Sequence, residues 1–395
     1  MRILQVTLGF YPAEAWGGPV KIVYQNSKEL IRRGHAVTIY CTNLLSKRQK
    51  IQSGTFERNI DGIRVVYLDT GNLHWWPGTL GPMWIPGLSL YLDQEIHNFD
   101  VVHLHGYRSP LMLAAAQAAR SANIPIVTQP HGTLPVIANS FIVKRAYDWL
   151  YGRKELEGIS CLIALQGKEK EHALEQGIPE DIIEVIPNGI DLSGSDELPE
   201  KGAFRRQHHI KADQPVILFL GRINRIKGTD MLVEAFARMG NPNVRLIIAG
   251  PDDGQLTEVK QLIKKHRLES AVTLTGILSG QEVKAAFQDS DLFVLPSRSD
   301  AFPTTIMESC LMCTPMVITD RCSIAHLVKD RVADVVPFDP GAFANAMRLL
   351  LTDQERYNRY RSNCKAVLQD TFSIQVVVDR LEAVYQRVIE EKAKK

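Results

Sequence analysis

Short apolar runs alternate along the chain with longer segments whose apolar positions recur at helical spacing. In the first half this pattern predicts strands at 3–8, 36–41, 63–68, 101–104, 124–128, 161–165 and 183–186, with helices at 20–33, 111–122 and 168–176. The second half repeats it, with strands at 216–220, 244–249, 272–275 and 291–296 and helices at 230–238, 256–266 and 281–288. Such alternation is typical of βαβ units on a mostly parallel sheet. We therefore predict an α/β protein with two doubly wound domains.

A polar segment at 192–214, which begins LSGSDELPEKG, separates the two series of strands. It places the first domain at 1–192 and the second at 193–372. A last helix, predicted from Ser373 to about Glu391, has apolar residues near helical spacing and would pack into a core. We expect this C-terminal helix, 373–395, to pack back on the first domain.

Composition narrows the class of protein. The length of 395 residues favours two domains. A net charge of +2 gives no basic footprint for nucleic acid. The chain has no run of about 18 apolar residues that would span a membrane, and its first residues read as a strand rather than a signal peptide. We expect a cytoplasmic enzyme.

The stretch 291–317 carries the first candidate chemistry. After its strand, Pro303 is predicted at the first helical position, where proline is favoured. The amides of Thr304, Thr305 and Ile306 would then form an anion site at the helix N-terminus. The carboxylates of Asp300 and Glu308 flank this site and would accept hydrogen bonds from hydroxyl groups. The chemistry suggests a phosphorylated sugar, such as a nucleotide sugar.

In parallel sheets, ligands bind beyond the carboxyl ends of strands. In the first domain, Gly17 and Gly18 follow the first strand, and His105 and His131 follow two later strands. Paired glycines would let the backbone approach a diphosphate, although a simple tight turn explains them equally well. Lone histidines are more often structural, but their place before glycine at strand ends favours a ligand role.

In the second domain, Arg222 and Lys227 follow the strand at 216–220 in GRINRIKG. Arginine can bind phosphate oxygens with two hydrogen bonds, and lysine adds a compact charge. A solvated basic loop is the ordinary alternative, but glycines at both ends and the strand-end position favour phosphate. Asp252 and Asp253 could suggest Mg²⁺, but a turn explains them more simply.

Six cysteines fit no disulfide framework. The spacing Cys310–Cys313–Cys322–His326 resembles a zinc ligand set. However, Cys310 and Cys313 fall among apolar residues of a predicted helix, where cysteine behaves as a small hydrophobe. We assign no metal and no cofactor.

Several short segments, in their order along the chain, carry a family resemblance. They are GGP at 17–19, RRGHAVTIY at 32–40, VVHLHG at 101–106, PHG at 130–132, IPNGID at 186–191, GRINRIKG at 221–228, the two acids at 300 and 308, and FS at 372–373. Together they resemble the retaining glycosyltransferases of family 4, the "group 1" type with the GT-B fold. The resemblance covers nearly the whole chain. It implies two Rossmann-like domains that face each other across a cleft.

The resemblance also implies roles for individual residues. Arg222 and Lys227 would bind the donor diphosphate and stabilise the departing nucleoside diphosphate without a metal. Glu308 would hold the ribose, Asp300 would contact the donor sugar, and His131 would lie beside the reacting centre. The anomeric configuration would be retained by front-face attack with no firmly assigned protein nucleophile.

The same resemblance implies that Gly17 and Gly18 would flank donor and acceptor at the floor of the cleft. Three positions depart from the family pattern. The first acid is Asp300 rather than glutamate, Ala301 replaces a glycine, and Cys313 stands where glycine usually ends the helix. Aspartate is one methylene shorter, so either the sugar lies differently or a water bridges the gap. Cysteine in a left-handed conformation would cost about 1 kcal/mol.

The acceptor side is indicated only by composition. An aromatic, proline-rich stretch at 73–86 and a segment at 141–154 that mixes aromatic and basic residues could meet an anionic membrane carrying a lipid-linked acceptor. Ordinary packing beside a solvated face is the alternative.

The leading hypothesis is hexosyl transfer from a nucleoside-diphosphate sugar to a saccharide or glycolipid. The alternatives are a nucleotide-sugar epimerase with the same fold, a two-domain substrate-binding protein, and a catalytically weakened sugar-nucleotide-binding subunit. The departures at Asp300 and Ala301 bear on the last of these.

Overall fold

The computed structural model describes residues 1–13, 18–46, 49–70, 85, 88–135, 141–191, 199–278, 280–300 and 302–394, with the backbone alone at 89–90 and 141–143. These residues divide into two compact units, each described separately below. Unit 1 comprises Met1–Ile190 together with Ile374–Lys395, and unit 2 comprises Asp191–Ser373.

The described part of unit 1 contains one large sheet and a small hairpin. Its strands are β1 Arg2–Thr7, β2 Ala36–Thr42, β3 Leu44–Ser46, β4 Gln49–Lys50, β5 Phe56–Ile60, β6 Ile63–Leu68, β7 Val101–His105, β8 Ile126–Gln129, β9 Cys161–Ala164 and β10 Ile183–Val185. Its helices are α1 Gly18–Arg32, α2 Leu88–Glu95, α3 Pro110–Ser121, α4 Phe141–Tyr147, α5 Arg153–Leu156 and α6 Gly167–Glu175, with 3₁₀ turns at Ile96–Asn98 and Glu180–Ile182. A π-helical turn, Asp148–Gly152, joins α4 to α5.

The large sheet has the strand order β10-β9-β8-β7-β1-β2-β6-β5. Every pairing in it is parallel except that of β5 with β6. Central strands are buried on both faces, as parallel sheets covered by helices require. Asp61 and Gly62, both at positive φ, form the turn between β5 and β6.

Unit 1 also contains the last helix, α15 Ile374–Ala393. Its apolar face, including Leu381 and Tyr385, belongs to the same buried cluster as Ile3 of β1. Arg33, just after α1, forms ion pairs with Asp379 and Glu382 of this helix. The helix therefore contributes to the core on one face of the large sheet, while α3 contributes to the core on the other.

Unit 2 contains a second parallel sheet, in the order β13-β12-β11-β14-β15-β16. Its strands are β11 Val216–Leu220, β12 Arg245–Ala249, β13 Val272–Gly276, β14 Leu292–Leu295, β15 Met316–Thr319 and β16 Ala333–Val336. Its helices are α7 Ala203–Gln207, α8 Thr229–Met239, α9 Leu256–Lys265, α10 Gln281–Gln288, α11 Thr304–Leu311, α12 Ala325–Val328, α13 Pro340–Thr352 and α14 Gln354–Val367, followed by a π-helical turn at Leu368–Phe372.

Two Rossmann-like α/β domains are thus confirmed. The predicted strands and helices are present with ends shifted by up to two residues. The sequence patterns made no prediction for several described elements, namely β3, β4, β5, β15, β16, α2, α5, α7, α12, α13 and α14. The sequence predicted domain boundaries after residues 192 and 372, and the structure divides the chain after Ile190 and after Ser373.

Candidate functional site

In unit 2, the strand order reverses between β11 and β14, which are neighbours in the middle of the sheet. Ligands of open parallel sheets bind at such a switch point, outside the carboxyl ends of the strands. The loop that follows β11 contains Arg222 and Lys227, and the loop that follows β14 contains Asp300. The fold therefore brings together two predicted site segments that are far apart in sequence.

Lys227 and Asp300 are in direct contact. The ammonium group of Lys227 donates to Oδ2 of Asp300, 73 residues away in the chain. The Ser297 hydroxyl lies 3.5 Å from the same oxygen. The two charged side chains are 19% and 11% exposed, so the pair is mostly shielded from water. A ligand phosphate would have to compete with Asp300 for this ammonium group.

The loop after β11 is fixed by close backbone packing. Asn224 Oδ1 accepts a hydrogen bond of 2.9 Å from the amide of Lys227. Gly228 has a φ of +70°, and a Cβ there would lie 2.0 Å from the carbonyl oxygen of Pro296. Only glycine fits such an approach. The loops after β11 and β14 are therefore packed backbone to backbone.

Arg222 lies on the more exposed side of this loop. Its guanidinium donates to Asp253 over 2.8 Å, and the Asn224 amide donates to the same carboxylate over 2.8 Å. Asp253 therefore positions Arg222, and no metal ion is needed to explain why an aspartate lies here. The neighbouring Asp252 accepts the amides of Gly254 and Leu256, as expected for a turn.

A second arginine at the switch point was missed by the sequence analysis. Arg298 donates to both carboxylate oxygens of Asp230 over 2.8 and 2.6 Å, and it also donates to the carbonyl of Arg225. Its side chain stacks 4.7 Å from the ring centroid of Phe338. Because Arg298 joins the two loops, it supports their geometry. The polar residues SRSD at 297–300 marked this loop in the sequence, but they did not reveal that Asp230 is the partner of Arg298.

The helix that follows Asp300 differs from the prediction at its first turn. Pro303 caps α11 in an extended conformation, and the helix begins at Thr304 rather than at the proline. The amide of Ile306 donates to the carbonyl of Pro303, so this amide is not available to an anion. Thr304 and Thr305 remain the candidate amides, and Glu308 is half-buried in the second turn.

The helix end confirms one expectation from the sequence. Cys313 has a φ of +52°, the left-handed conformation predicted for that position. Cys310 is buried, as expected for a small apolar residue. Among the residues that the structure describes, no group of three or more potential ligands is arranged to hold a metal ion.

In unit 1, the strand order reverses between β1 and β7. A cavity of about 190 Å³ opens there, beyond the paired residues Thr7 and His105. Its lining is Thr7, Leu8, Gly9, Pro19, Val20, His105, Gly106, Tyr107, Ser109, Met112, Pro130, His131 and Thr133. None of these lining residues is an aspartate, a glutamate, a lysine or an arginine. Gly18 is the first residue of α1 beside this cavity, whereas Gly17 lies outside the described residues.

Two of the predicted histidines are joined at the cavity. Nε2 of His131 lies 3.0 Å from Nδ1 of His105, whose Nε2 lies 3.0 Å from Oε1 of Gln5. Burial lowers the pKa of His131 to about 4. Burial, aided by the neighbouring imidazoles, holds the pKa of His105 well below its usual value. Both rings are therefore neutral near pH 7.

Two buried carboxyl groups hydrogen-bond to the backbone at or next to residues that line this cavity, Glu169 at Gly132 and Glu155 at Ser109. Glu169 accepts the amides of Gly132 and Leu165 over 2.5 and 2.7 Å, which fixes the turn that carries His131. Glu155 accepts a hydrogen bond from the Tyr147 hydroxyl, and burial raises the pKa of Glu155 to about 8. Sequence reasoning missed both, since an isolated glutamate gives no signal of burial.

Comparison with known proteins places the chain in a family. Residues 16–193 match the model described as Glycosyltransferase Family 4, and residues 200–367 match the model described as Glycosyl transferases group 1. The chain is a group 1 glycosyltransferase with the GT-B fold, which confirms the resemblance drawn from the sequence.

Individual relatives and a solved structure agree with this assignment. The O-antigen chain mannosyltransferase C of Escherichia coli is 25% identical over 406 residues, covering 100% of both chains. The D-inositol 3-phosphate glycosyltransferase of Xylanimonas cellulosilytica is 26% identical over 370 residues, covering 89% of this chain and 87% of that one. The Anabaena HepE structure in complex with UDP and glucose is 18% identical with a TM-score of 0.74, covering 98% and 100% of the two chains.

Several predictions remain outside these observations. Gly17, Ala301 and the aromatic stretch at 73–86, apart from Ile85, fall outside the described residues. Within the described part of the chain, no helix is long and apolar enough to cross a membrane.

Proposed function

We propose that this glycosyltransferase moves a hexosyl unit from a nucleoside-diphosphate sugar to a saccharide or lipid-linked saccharide, in the synthesis of a cell-surface polysaccharide or glycolipid. The observation that carries the proposal is the meeting of Lys227 and Asp300 at the switch point of unit 2. A cation suits the diphosphate, and an adjacent carboxylate suits the hydroxyl groups of the sugar attached to it.

The residues of unit 2 would divide the donor between them. Lys227 and Arg222 would neutralise the diphosphate and stabilise the charge that develops on the leaving group. The amides of Thr304 and Thr305 would add hydrogen bonds to phosphate oxygens. Glu308 would accept hydrogen bonds from the ribose hydroxyls. No step in this account requires a metal ion.

Asp300 and His131 would contact the transferred sugar. Asp300 would accept a hydrogen bond from a sugar hydroxyl after Lys227 turns to the diphosphate. His131 is neutral near pH 7, so it would serve as a hydrogen-bonding group rather than as a charged acid. We propose retention of configuration by front-face attack, in which the departing diphosphate itself accepts the proton of the acceptor hydroxyl.

The names of similar proteins support the choice of substrate classes. One relative is a mannosyltransferase of O-antigen chains, and one structural neighbour holds UDP and glucose. We therefore propose a hexose as the transferred unit and a saccharide as the acceptor.

Donor hydrolysis tests this proposal directly. The purified protein is incubated with a panel of nucleoside-diphosphate hexoses, with and without EDTA, and release of the nucleoside diphosphate is measured. We expect slow release from one donor and no effect of the chelator. If a donor binds but no nucleoside diphosphate is released, the weakened sugar-nucleotide-binding subunit would be favoured. If the sugar is isomerised while still attached to the nucleoside diphosphate, the epimerase would be favoured.

We also propose that unit 1 contacts an anionic membrane through the segment 144–154, which we term the aromatic turn. Trp149 is 83% exposed, Leu150 49% and Tyr151 39%. The opposite side of this segment is anchored by bonds from Arg108 to Asp148 and from Tyr147 to Glu155. The flanking cations Lys144, Arg145, Arg153 and Lys154 would favour anionic lipid.

Co-sedimentation with vesicles at low salt tests the membrane contact. The protein should bind vesicles that contain anionic lipid and not neutral ones, and replacing Trp149 and Leu150 with alanine should weaken binding. Leu174→Ala, at an apolar residue of unit 1 that is 40% exposed, is the matched control. Equal binding by both variants would reject the aromatic turn as the contact.

A further inference from the structure

A row of imidazole rings runs through unit 1 to the cavity. The ring of His103 lies 4.0 Å from that of His105, centroid to centroid, and the ring of His105 lies 5.3 Å from that of His131. The row begins in the core, where Nδ1 of His103 lies 2.7 Å from the Tyr385 hydroxyl. It ends at His131, on the cavity wall. Gln5 joins the row from β1, beneath His105.

The hydrogen bonds of this row are directional. A neutral imidazole has one N–H donor and one acceptor nitrogen. Oε1 of Gln5 can only accept, so Nε2 of His105 must carry a hydrogen and donate to it over 3.0 Å. Nδ1 of His105 is then an acceptor. The hydrogen between the two histidines therefore belongs to Nε2 of His131, which donates over 3.0 Å.

This assignment also determines the state of the second ring nitrogen of His131, Nδ1. Its Nδ1 must be an acceptor nitrogen, and no residue that the structure describes forms a hydrogen bond with it. The ring lines the cavity, so a hydroxyl group of a bound sugar could donate to Nδ1. Neutral rings are required throughout the row, and burial lowers the pKa of His103 to about 3 and that of His131 to about 4.

We propose that Gln5, acting through His105, fixes the tautomer of His131, and that this makes Nδ1 of His131 an acceptor for one hydroxyl group of the sugar. Gln5 and His105 are thus positioning residues, since neither needs to touch the reacting atoms. The proposal deepens the proposed function, on which the sugar ligand rests. The hydrogen-bond row itself does not depend on that function.

The buried surroundings make Gln5 suited to this role. Its side chain is 1% exposed, and its Nε2 has no hydrogen-bond partner among the described residues. An amide oxygen needs a donor N–H on a neighbouring imidazole, whereas an amide nitrogen needs an acceptor nitrogen there. Turning the Gln5 amide over would reverse both bonds of the row and leave Nδ1 of His131 as a donor. The proposal therefore names one of two arrangements that an experiment can tell apart.

Nitrogen NMR of the full-length protein labelled with ¹⁵N-histidine tests the assignment without any substrate. Long-range ¹H–¹⁵N correlations distinguish the two neutral tautomers by the shifts of the ring nitrogens. The spectrum of His131→Asn identifies the signals of His131 by their absence. We expect the wild type to show His131 protonated at Nε2 near pH 7. Protonation at Nδ1 would overturn the proposal.

Variants of the row test the coupling to Gln5. Gln5→Met keeps the length of the side chain but removes the acceptor, so His131 should become a mixture of tautomers with shifted ring nitrogens. Thr128→Val is the control, since it removes a buried hydroxyl without a partner from the neighbouring strand β8. It should leave the His131 signals unchanged. An unchanged His131 tautomer in Gln5→Met would overturn the proposal.

Activity provides an independent arm. If the proposed donor hydrolysis is observed, Gln5→Met should lower kcat/KM about fivefold to tenfold, while Thr128→Val should stay near the wild-type value. An unaltered kcat/KM in Gln5→Met would show that the tautomer does not matter to the sugar. Absence of hydrolysis by the wild type would reject the proposed function, whereas the NMR result would still decide the hydrogen-bond row.

Discussion

The switch points of the two sheets differ in charge although they occupy the same topological place. In unit 2, the point between β11 and β14 carries Lys227, Asp300, Arg298 and Asp230 as ion pairs. In unit 1, the cavity between β1 and β7 is lined by uncharged side chains, and its histidines are held neutral by burial. In the function that we propose, the first would bind the charged diphosphate of a donor, and the second would bind a neutral sugar. The same fold therefore presents two different chemical environments through the residues on its strand-end loops.

The largest expected effect tests how the charged site is built. Gly228→Ala would place a Cβ 2.0 Å from the Pro296 carbonyl oxygen at a φ of +70°. We expect a loss of about 3 kcal/mol or more in the free energy of unfolding, measured with urea. Gly240→Ala is a close control, because Gly240 flanks the other end of α8 with a φ of +66° and its nearest neighbour atom at 3.9 Å. It should lose only about 1 kcal/mol. Equal losses in the two variants would show that the close packing of the loops is unimportant.

The second prediction tests the charge itself. Lys227→Ala should lower kcat/KM for donor hydrolysis about thirtyfold or more, which corresponds to about 2 kcal/mol of transition-state stabilisation. The reason is that negative charge develops on the leaving diphosphate. Lys260→Ala, at an exposed lysine of α9, is the control and should behave as the wild type. Unchanged kcat/KM in Lys227→Ala would overturn the diphosphate role of this residue.

The third prediction tests the neutrality of unit 1. Burial lowers the pKa of His103 to about 3 in the folded protein, against about 6.5 in an unfolded chain. As pH falls below 6.5, the unfolded chain therefore binds the proton first, and the stability contributed by the neutral ring is lost progressively down to about pH 3. His103→Gln should remove this dependence. Between pH 7 and pH 5.5, the wild type should lose about 1 kcal/mol more than the variant in urea unfolding.

Other titrating groups cancel when the two proteins are compared over the same pH interval. Glu155, for example, has a raised pKa of about 8 and acts with the opposite sign, since its stability contribution is lost as pH rises. His97→Gln, at an exposed histidine of unit 1, provides the control. A pH dependence that is the same in His103→Gln and the wild type would mean that His103 is not held neutral.

Much of this architecture could be predicted from the sequence, because strand and helix periods are local properties. The buried parallel strands and the residues at their carboxyl ends followed from apolar runs and the polar residues after them. Strand β5 was missed although Asp61 and Gly62 gave a hairpin signal, since Phe56–Ile60 is mostly polar. The helix pair α13–α14 was also missed, although α13 begins at a proline.

Individual residues of the candidate sites could be predicted from the sequence, but the contacts between them could not. Lys227 and Asp300 could each be named from its loop, whereas their contact depends on the pairing of β11 with β14. Gln5 interrupts an apolar strand, which was a signal of function that the pattern analysis passed over. The partner of such a residue is a tertiary property. The same holds for Arg298, whose partner Asp230 lies 68 residues away.

The smallest expected effect concerns which sugar the charged site accepts. Asp300→Glu adds one methylene, about 1.5 Å of reach, to the carboxylate that Lys227 contacts. The charge is preserved, so we expect kcat/KM for the best donor to stay within about tenfold of the wild type. The carboxylate would meet different hydroxyl groups, so the ranking of donors in the nucleoside-diphosphate hexose panel should change. Asp320→Glu, at a half-exposed acid of unit 2, controls for the added methylene and should keep the ranking. An identical donor profile in Asp300→Glu would show that this position does not select the sugar, and selectivity would then have to be sought among the uncharged residues of unit 1.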